Sequence, residues 1–429
     1  VNLSVIGTGY VGLVTASCFA ELGHSVTATD SNEGVLRRLQ QGETPLYEPG
    51  LPELVKKNID TGRLRFVPTV HEAVHPADVV FITVGTPAKL DGSSDLVYID
   101  QVAQDLAAAL NGYKVIVEKS TVPVQTGERI KRAIRLYNSR ADFDVASVPE
   151  FTREGSAIQD FMHPDRIVIG VDSPKAEVLL RGLYESFGAP LVVTDINSAE
   201  LIKHASNSFL AMKISYINTI AALCEKTGAD IKKVAEGVGL DRRIGPEFLQ
   251  AGVGYGGSCL PKDVSAFIRI SQELGVDFQM LKAVAEVNEQ QHRRVIEKLK
   301  DILWILTGKT IAVLGLSFKA GTDDVRNSPA LAIVDLLWQE GAQVVAYDPI
   351  AAANAQKALP GLRCCPDPYT AATGAHALLL VTDWLEFRAL DFGKLKGLMR
   401  IPAIVDGRNM FSPDELRRLG FEYRGFGRR

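Results

Sequence analysis

Apolar residues fall in short runs separated by amphipathic stretches over most of the chain. Residues 1–7 read as a strand and a turn, 11–22 carry helical periodicity, and 25–30 read as a strand again. That is a β-α-β unit. Short apolar runs follow at 79–84, 114–118, 144–147 and 167–171, with helical stretches between several of them. The alternation predicts a mostly parallel, doubly wound sheet over about the first 195 residues. From about 198 to 227 the strand-like runs vanish. A long helical stretch there has Leu201, Phe209, Ile214, Ile217 and Ile220 among its apolar positions. A second long helix is predicted over 278–306, with a helical segment at 231–238 and a glycine-rich loop at 252–257 before it. Alternation then resumes, with strands at 310–314, 344–347, 377–382 and 403–406 and a helix at 329–340.

The chain has 429 residues, enough for two or three domains. Hydrophobic residues are 46 % and charged residues 23 %, which excludes a disordered or fibrous chain. The formal charge of −4 argues against nucleic-acid binding through overall charge. It leaves room for a local basic pocket that holds one phosphorylated small molecule. No apolar run approaches the ~18 residues of a membrane span. The N-terminus shows no charged leader, so no export signal and a cytoplasmic location are expected. Cys18, Cys224, Cys259, Cys364 and Cys365 are odd in number and include no C-x-x-C. That argues against a disulfide framework and a structural zinc site, and for a reducing compartment. No bound metal is expected.

Gly7-Thr8-Gly9-Tyr10-Val11-Gly12 is G-x-G-x-x-G directly between a predicted strand and a predicted helix. The first glycine allows the tight turn. The second lets backbone approach a pyrophosphate, and the third lets helix pack on strand. The helix N-terminus offers N–H groups and a partial positive charge. Asp30 ends the next strand, 18 residues past Gly12. An acid there suits the ribose 2′-OH of NAD and would repel the 2′-phosphate of NADP. The turns Val84-Gly85-Thr86-Pro87 and Lys119-Ser120-Thr121-Val122-Pro123 follow two further strands, at the strand ends where doubly wound sheets bind ligands. The predicted fold is therefore α/β: two Rossmann-like, doubly wound parallel-sheet domains joined by a long-helix central section. The predicted boundaries are 1–195, 196–306 and 307–429.

The stretch Gly252-Val253-Gly254-Tyr255-Gly256-Gly257-Ser258-Cys259-Leu260-Pro261-Lys262-Asp263 is the most informative. Its glycines would let backbone approach a substrate. Ser258 reads as an N-cap and Pro261 fits a first helical turn, with the helix running to about Leu274 and stopping at Gly275. Cys259 would then sit at a helix N-terminus near Lys262, and both features favour the nucleophilic thiolate. A small buried thiol is the ordinary reading of an isolated cysteine; this setting favours a nucleophile. Lys203 and Asn207 are i and i+4 on the central helix and could hold a substrate oxygen. The same spacing fits a solvated lysine and a surface asparagine. Glu150 and Glu154 are also four apart and could serve in acid–base work, or be surface carboxylates.

Taken together, these motifs resemble the nucleotide-sugar 6-dehydrogenases, the family that includes enzymes acting on UDP-glucose and GDP-mannose. The similarity runs from about Leu3 to Met410 and includes 81–87, 118–123, 149–157, 199–218, 252–263, 315–328 and Asp406-Gly407-Arg408, in order. The resemblance implies oxidation of the C6 alcohol of UDP-glucose to UDP-glucuronate with two NAD⁺. The same chemistry on GDP-mannose is the alternative. Cys259 would attack the C6 aldehyde to give a thiohemiacetal, then a thioester that water cleaves. By the same resemblance Lys203 and Asn207 hold the C6 oxygen, and Asp263 is tied to that lysine and to water. Thr121 and Glu154 are linked to an active-site water, and Glu150 serves substrate binding or hydrolysis. Cofactor contacts are implied at Gly7, Gly9, Tyr10, Val11, Gly12, Asp30, Thr83, Gly85, Thr86, Thr121, Glu154, Lys262 and Arg326. Substrate contacts are implied at Glu150, Phe151, Lys203, Asn207, Phe248, Tyr255 and Gly256. Phe318, Lys319 and Arg408 would grip UDP. Arg243 would reach a partner subunit's site in a homodimer or higher homo-oligomer. Two positions depart from the family pattern: Val148 stands where Asn is frequent, and Thr152 where Leu is frequent. No nucleic-acid or membrane partner and no regulatory tail are expected.

Overall fold

The predicted strands form, and short ones at the sheet edges join them. In the computed structural model, which describes residues 1–429 except Ala88, Leu90, Asp91 and Arg429, the first sheet contains β1 (Asn2–Ile6), β2 (Ser25–Thr29), β3 (Leu64–Phe66), β4 (Val79–Ile82), β5 (Lys114–Glu118), β6 (Phe143–Ser147), β7 (Ile167–Val171) and β8 (Leu191–Thr194). Their order is β3-β2-β1-β4-β5-β6-β7-β8. Every pair is parallel except β6 with β7. β4, β5 and β7 are buried along their whole length. Strands covered on both faces read as unbroken apolar runs, and this is why they were legible. β3 and β8 lie at the two edges and have three and four residues, too few to show a period.

The second sheet contains β9 (Thr310–Leu314), β10 (Gln343–Tyr347), β11 (Arg363–Cys364), β12 (Ala377–Leu380), β13 (Ala403–Asp406) and β14 (Glu422–Arg424), all parallel, in the order β11-β10-β9-β12-β13-β14. It repeats the winding of the first six strands of the other sheet. One aspartate holds the turn after its first strand. Asp348 lies one residue past β10 and accepts hydrogen bonds from the Leu316 and Ser317 amides (2.7 and 3.1 Å) in the turn after β9.

Contacts divide the chain into two units, Val1–Ser206 and Asn207–Arg429. The 32-residue helix Ile196–Thr227 runs through that boundary. In the second unit its later turns pack Ile217, Ala221 and Cys224 with Ile231, Leu249 and Ala251. The helices Ile231–Gly239, Leu260–Glu273 and Gln279–Leu303 complete the all-α stretch. No helix among the described residues is long and apolar enough to cross a membrane.

Candidate active site

In the first unit, β1 ends on Gly7, whose φ of +95° is the left-handed conformation that glycine adopts without a Cβ penalty. A Cβ on Gly12 would lie 1.9 Å from the Gly7 carbonyl oxygen, so the third glycine is required by close packing inside the loop. A Cβ on Gly9 would meet nothing within 4 Å, so open space lies over the second glycine. Gly9 caps the helix Tyr10–Glu21 with no side-chain hydrogen bond, and the first turn carries no acid. The helix N–H groups are thus left to an anion. Asp30 faces this turn: its Oδ2 accepts from the Thr8 amide (2.7 Å) and hydroxyl (2.9 Å). An uncapped helix end, room above Gly9 and a carboxylate at the end of β2 fit the pyrophosphate and ribose of NAD.

Neighbouring turns support the loop. The Thr83 hydroxyl donates to the carbonyls of Ile6 and Gly7 (3.0 and 2.7 Å), which places it beneath the glycine turn. The Thr86 hydroxyl donates to the Thr121 carbonyl (2.8 Å), and Ser120 donates to the Val84 carbonyl (2.8 Å). The turns after β4 and β5 are therefore stitched together. A Cβ on Gly85 would meet nothing within 4 Å. Val11 is half-buried in the first turn of the helix.

Lys203 and Glu150 form a buried ion pair, 4 % and 7 % exposed. Lys203 Nζ stands 3.3 Å from Glu150 Oε1 and donates to the Glu150 carbonyl at 2.6 Å. The surface readings of both residues are thereby set aside. Burial pushes the Glu150 carboxyl up, but the Lys203 ammonium, the Thr152 hydroxyl, Lys119 and the Thr152 amide outweigh it and hold it below the ordinary range. Lys119 itself is buried and driven down to about 8 by burial. Phe151 lies between cations, with the Arg166 guanidinium 3.6 Å and Lys203 Nζ 5.2 Å from its ring centre.

Sequence reasoning missed Glu48. It is 2 % exposed and ties three segments together. Its Oε1 accepts from the Ala157 amide (2.8 Å) and its Oε2 from the Gly155 amide (2.6 Å) and the Tyr10 hydroxyl. The glycine loop is thereby fastened to the segment that carries Glu150 and Glu154. Burial, Glu48 and, more weakly, the charge of Glu154 push the Tyr10 phenol up. The donors lie 38, 107 and 109 residues away in sequence, so no local pattern announces the carboxylate.

In the second unit, Cys259 is exposed and is itself the N-cap of the helix Leu260–Glu273, with Pro261 in the first turn. The predicted cap was Ser258, so the helix begins one residue later. The Cys259 carbonyl accepts the Asp263 amide at 2.8 Å. The other four cysteines are buried or half-buried. Burial pushes the Cys18 and Cys364 thiols up to about 12 and about 11. Both oxygens of the buried Asp263 are engaged, Oδ2 by Asn207 Nδ2 (2.6 Å) and Oδ1 by Lys262 Nζ (2.7 Å). Lys262, a predicted cofactor contact, is thus placed on a carboxylate.

The glycine loop before Cys259 differs from expectation in its reason. A Cβ on Gly252 would lie 2.3 Å from the Gly407 oxygen, on Gly254 2.5 Å from Asn288, on Gly256 2.3 Å from the Asn327 oxygen and on Gly257 2.8 Å from the Phe318 ring. These glycines make room for the chain's own backbone and rings. Tyr255 is buried among Ala211, Val264, Leu281 and Val284. Phe248 sits at φ +64°, a strained conformation for an aromatic residue.

Arg408 follows β13 and is fixed by donating Nε to the Val381 carbonyl (2.6 Å) and Nη2 to the Phe318 carbonyl (2.9 Å). Lys319 Nζ lies 5.7 Å from the Phe318 ring centre. These three predicted UDP contacts are therefore brought together. Arg243 and Arg326 instead fork onto their neighbours Asp241 and Asp324 (both Nη2 to Oδ2, 2.6 and 2.7 Å) at the surface.

The glycine turn after β1 has the form of a dinucleotide loop, and the second unit carries an exposed thiol at a helix N-terminus, features that suit an oxidoreductase using a nicotinamide cofactor. Comparison with known proteins agrees. The NAD-binding, central and UDP-binding domain models of the UDP-glucose/GDP-mannose dehydrogenase family match residues 1–188, 197–290 and 312–413. UDP-glucose 6-dehydrogenase of Rhizobium meliloti (strain 1021) is 48 % identical over 100 % of this chain and 99 % of its own. UDP-glucose 6-dehydrogenase TuaD of Bacillus subtilis (strain 168) is 47 % identical over 100 % of this chain and 93 % of its own. The structure of a UDP-glucose dehydrogenase from the archaeon Pyrobaculum islandicum superposes with a TM-score of 0.93 at 40 % identity, covering 100 % of this chain and 98 % of that one. The chain belongs to the UDP-glucose/GDP-mannose dehydrogenase family and is an NAD-dependent dehydrogenase.

Proposed function

We propose that this enzyme oxidises the C6 alcohol of UDP-glucose to the carboxylate of UDP-glucuronate, with Cys259 as the covalent nucleophile. One observation carries the mechanism. Among five cysteines, the exposed one caps a helix N-terminus, in the same unit as the Asn207–Asp263–Lys262 array. The helix dipole favours the thiolate there.

When bound, NAD⁺ would supply the hydride acceptor for each of the two oxidations at C6. Gly7, Gly9, Gly12 and Asp30 would hold it, with Tyr10, Val11, Thr83, Gly85, Thr86, Thr121, Glu154, Lys262 and Arg326 as further contacts. Lys203 and Asn207 hold the C6 oxygen as its charge changes. The alcohol loses its proton as the first hydride leaves. Cys259 Sγ then bonds to the aldehyde carbon, and the resulting alkoxide takes a proton to give a thiohemiacetal. Loss of that proton and of the second hydride gives the thioester. Water, handled by Glu150, Glu154 and Thr121, adds to the thioester carbon and Cys259 leaves as thiolate. The balance is one alcohol, two NAD⁺ and one water converted to one carboxylate, two NADH and three protons. The covalent tether keeps the reactive aldehyde from escaping between the two oxidations. Arg408 and Lys319 supply positive charge to the diphosphate, Phe318 adds its ring, and Phe151, Phe248, Tyr255 and Gly256 complete the sugar contacts.

The 1–195, 196–306 and 307–429 segments serve cofactor binding, dimerisation and UDP binding in this reading. Phe209, Tyr216 and Leu223 are seven apart on the long helix and more than half exposed. That apolar seam supports a homodimer formed through the helix, in which Arg243 serves the partner's site.

A nucleotide-sugar panel read by NADH formation tests the function. UDP-glucose is expected to give two NADH per sugar consumed. One NADH per sugar would point to a simple alcohol oxidation, and turnover of GDP-mannose alone would reassign the substrate.

A further inference from the structure

Thr152 follows Glu150 by two residues and half-faces solvent. Its amide donates to Glu150 Oε2 at 2.7 Å and its hydroxyl donates to the same oxygen at 2.6 Å. The other carboxylate oxygen, Oε1, faces Lys203 Nζ at 3.3 Å. The two oxygens are thus divided, one to the lysine and one to Thr152. The backbone bond would survive any side chain but proline at this position, but the hydroxyl bond needs Thr or Ser. On the other flank, Val148 offers only methyl groups and is buried in the apolar core of the first sheet.

We propose that Thr152 is a positioning residue, whose hydroxyl holds the Glu150 carboxylate ionised and turned onto the Lys203 ammonium. The proposal deepens the function proposed above and rests on its assignment of Glu150 and Lys203.

A carboxylate bonded by a hydroxyl is stabilised in its charged form. Among the leading influences on the Glu150 carboxylate, the charges are those of Lys203 from the long helix and Lys119 just past β5, and both favour ionisation. Burial opposes them. Loss of the hydroxyl therefore raises the pH at which Glu150 takes up a proton. A protonated Glu150 no longer anchors the ammonium or handles water in the hydrolytic step.

The test compares Thr152→Val, which keeps the shape and removes the hydroxyl, with Thr152→Ser, which keeps the hydroxyl. The pH profile of kcat for UDP-glucose is measured for each. In Thr152→Val the acid limb is expected to move up by about one unit, the size of a hydrogen bond to a charged group. Activity on that limb then falls about tenfold, and the alkaline plateau changes little. Thr152→Ser is expected to follow the parent profile. An unchanged acid limb in Thr152→Val, or equal shifts in both variants, would overturn the proposal.

A second measurement needs no turnover. Glu150 is held low in the folded enzyme, so its ionisation contributes stability above its unfolded pKa, and that contribution is lost as pH falls through the folded pKa. The melting-temperature deficit of Thr152→Val is therefore expected at neutral pH and closes on acidification. A deficit independent of pH would mean a packing role only and would refute the proposal. If the parent enzyme oxidises no UDP-glucose, the substrate assignment fails, and the melting data still decide the role of Thr152.

Discussion

A Cys259→Ser enzyme is expected to release UDP-glucuronate at less than about a thousandth of the parent rate, because removing an enzymatic nucleophile costs at least that much. A serine hydroxyl is not ionised near neutral pH, and the helix N-terminus that favours a thiolate cannot supply an alkoxide. An oxygen ester formed at this position would also hydrolyse more slowly than a thioester, since alkoxide is the poorer leaving group. Cys259 is exposed and its side chain makes no cap hydrogen bond, so the variant is expected to melt as the parent does. NAD affinity should also be retained, because Cys259 is not among the proposed cofactor contacts. Chromatographic assay of UDP-glucuronate checks the loss, and acid production at the parent rate would remove the covalent mechanism.

Lys203→Ala is expected to act on activity and stability together. The substitution leaves the Glu150 carboxylate buried without its ammonium, and breaking a buried pair from one side costs about 3–5 kcal/mol. At roughly 2–4 °C per kcal/mol for a unit of this size, the melting temperature should fall by about 10 °C. The sign with pH follows from Glu150. Its carboxyl is held below the ordinary value in the folded state, so the pair stabilises at neutral pH. That stabilisation is lost as pH falls through the folded pKa, and the deficit of Lys203→Ala should shrink on acidification. Removing both charges in Lys203→Met with Glu150→Gln should recover most of the lost stability, since the uncompensated charge is gone. It should not recover activity if Lys203 holds the C6 oxygen as proposed; a loss of about 10² in kcat is expected for each variant. Thermal melts across pH, beside initial rates, separate the two effects. Activity recovering along with stability would show that Lys203 serves packing alone.

The motifs with local chemistry were legible in the chain. The turn at 7–12 needs glycine for steric reasons that the spacing itself announces, and Gly12 proves as tightly packed as that spacing implies. β4 and β5 were legible because both of their faces are buried. Three classes of feature were not. The antiparallel placement of β7 depends on a connection, which an apolar run does not encode. The edge strands β3, β8, β11 and β14 have two to four residues, below any readable period. Glu48 gains its meaning from partners far away in sequence. Lys203 and Asn207 were ambiguous for a related reason: i, i+4 spacing states a shared helix face but not what covers it. The glycines at 252–257 taught the opposite lesson. Their presence was legible, but the groups that crowd them are the Gly407 and Asn327 carbonyls, the Asn288 side chain and the Phe318 ring, and no pattern near the loop points there.

The distribution of sulfur has a practical consequence. Cys18, Cys224 and Cys365 are buried, Cys364 is half-buried with its thiol pushed up to about 11, and only Cys259 is exposed. An alkylating reagent at limiting dose therefore meets one exposed thiol per chain. Label incorporated per mole of protein then counts accessible Cys259 thiols directly, and an electrophile carried on a nucleotide could be directed to a single cysteine without protecting the others.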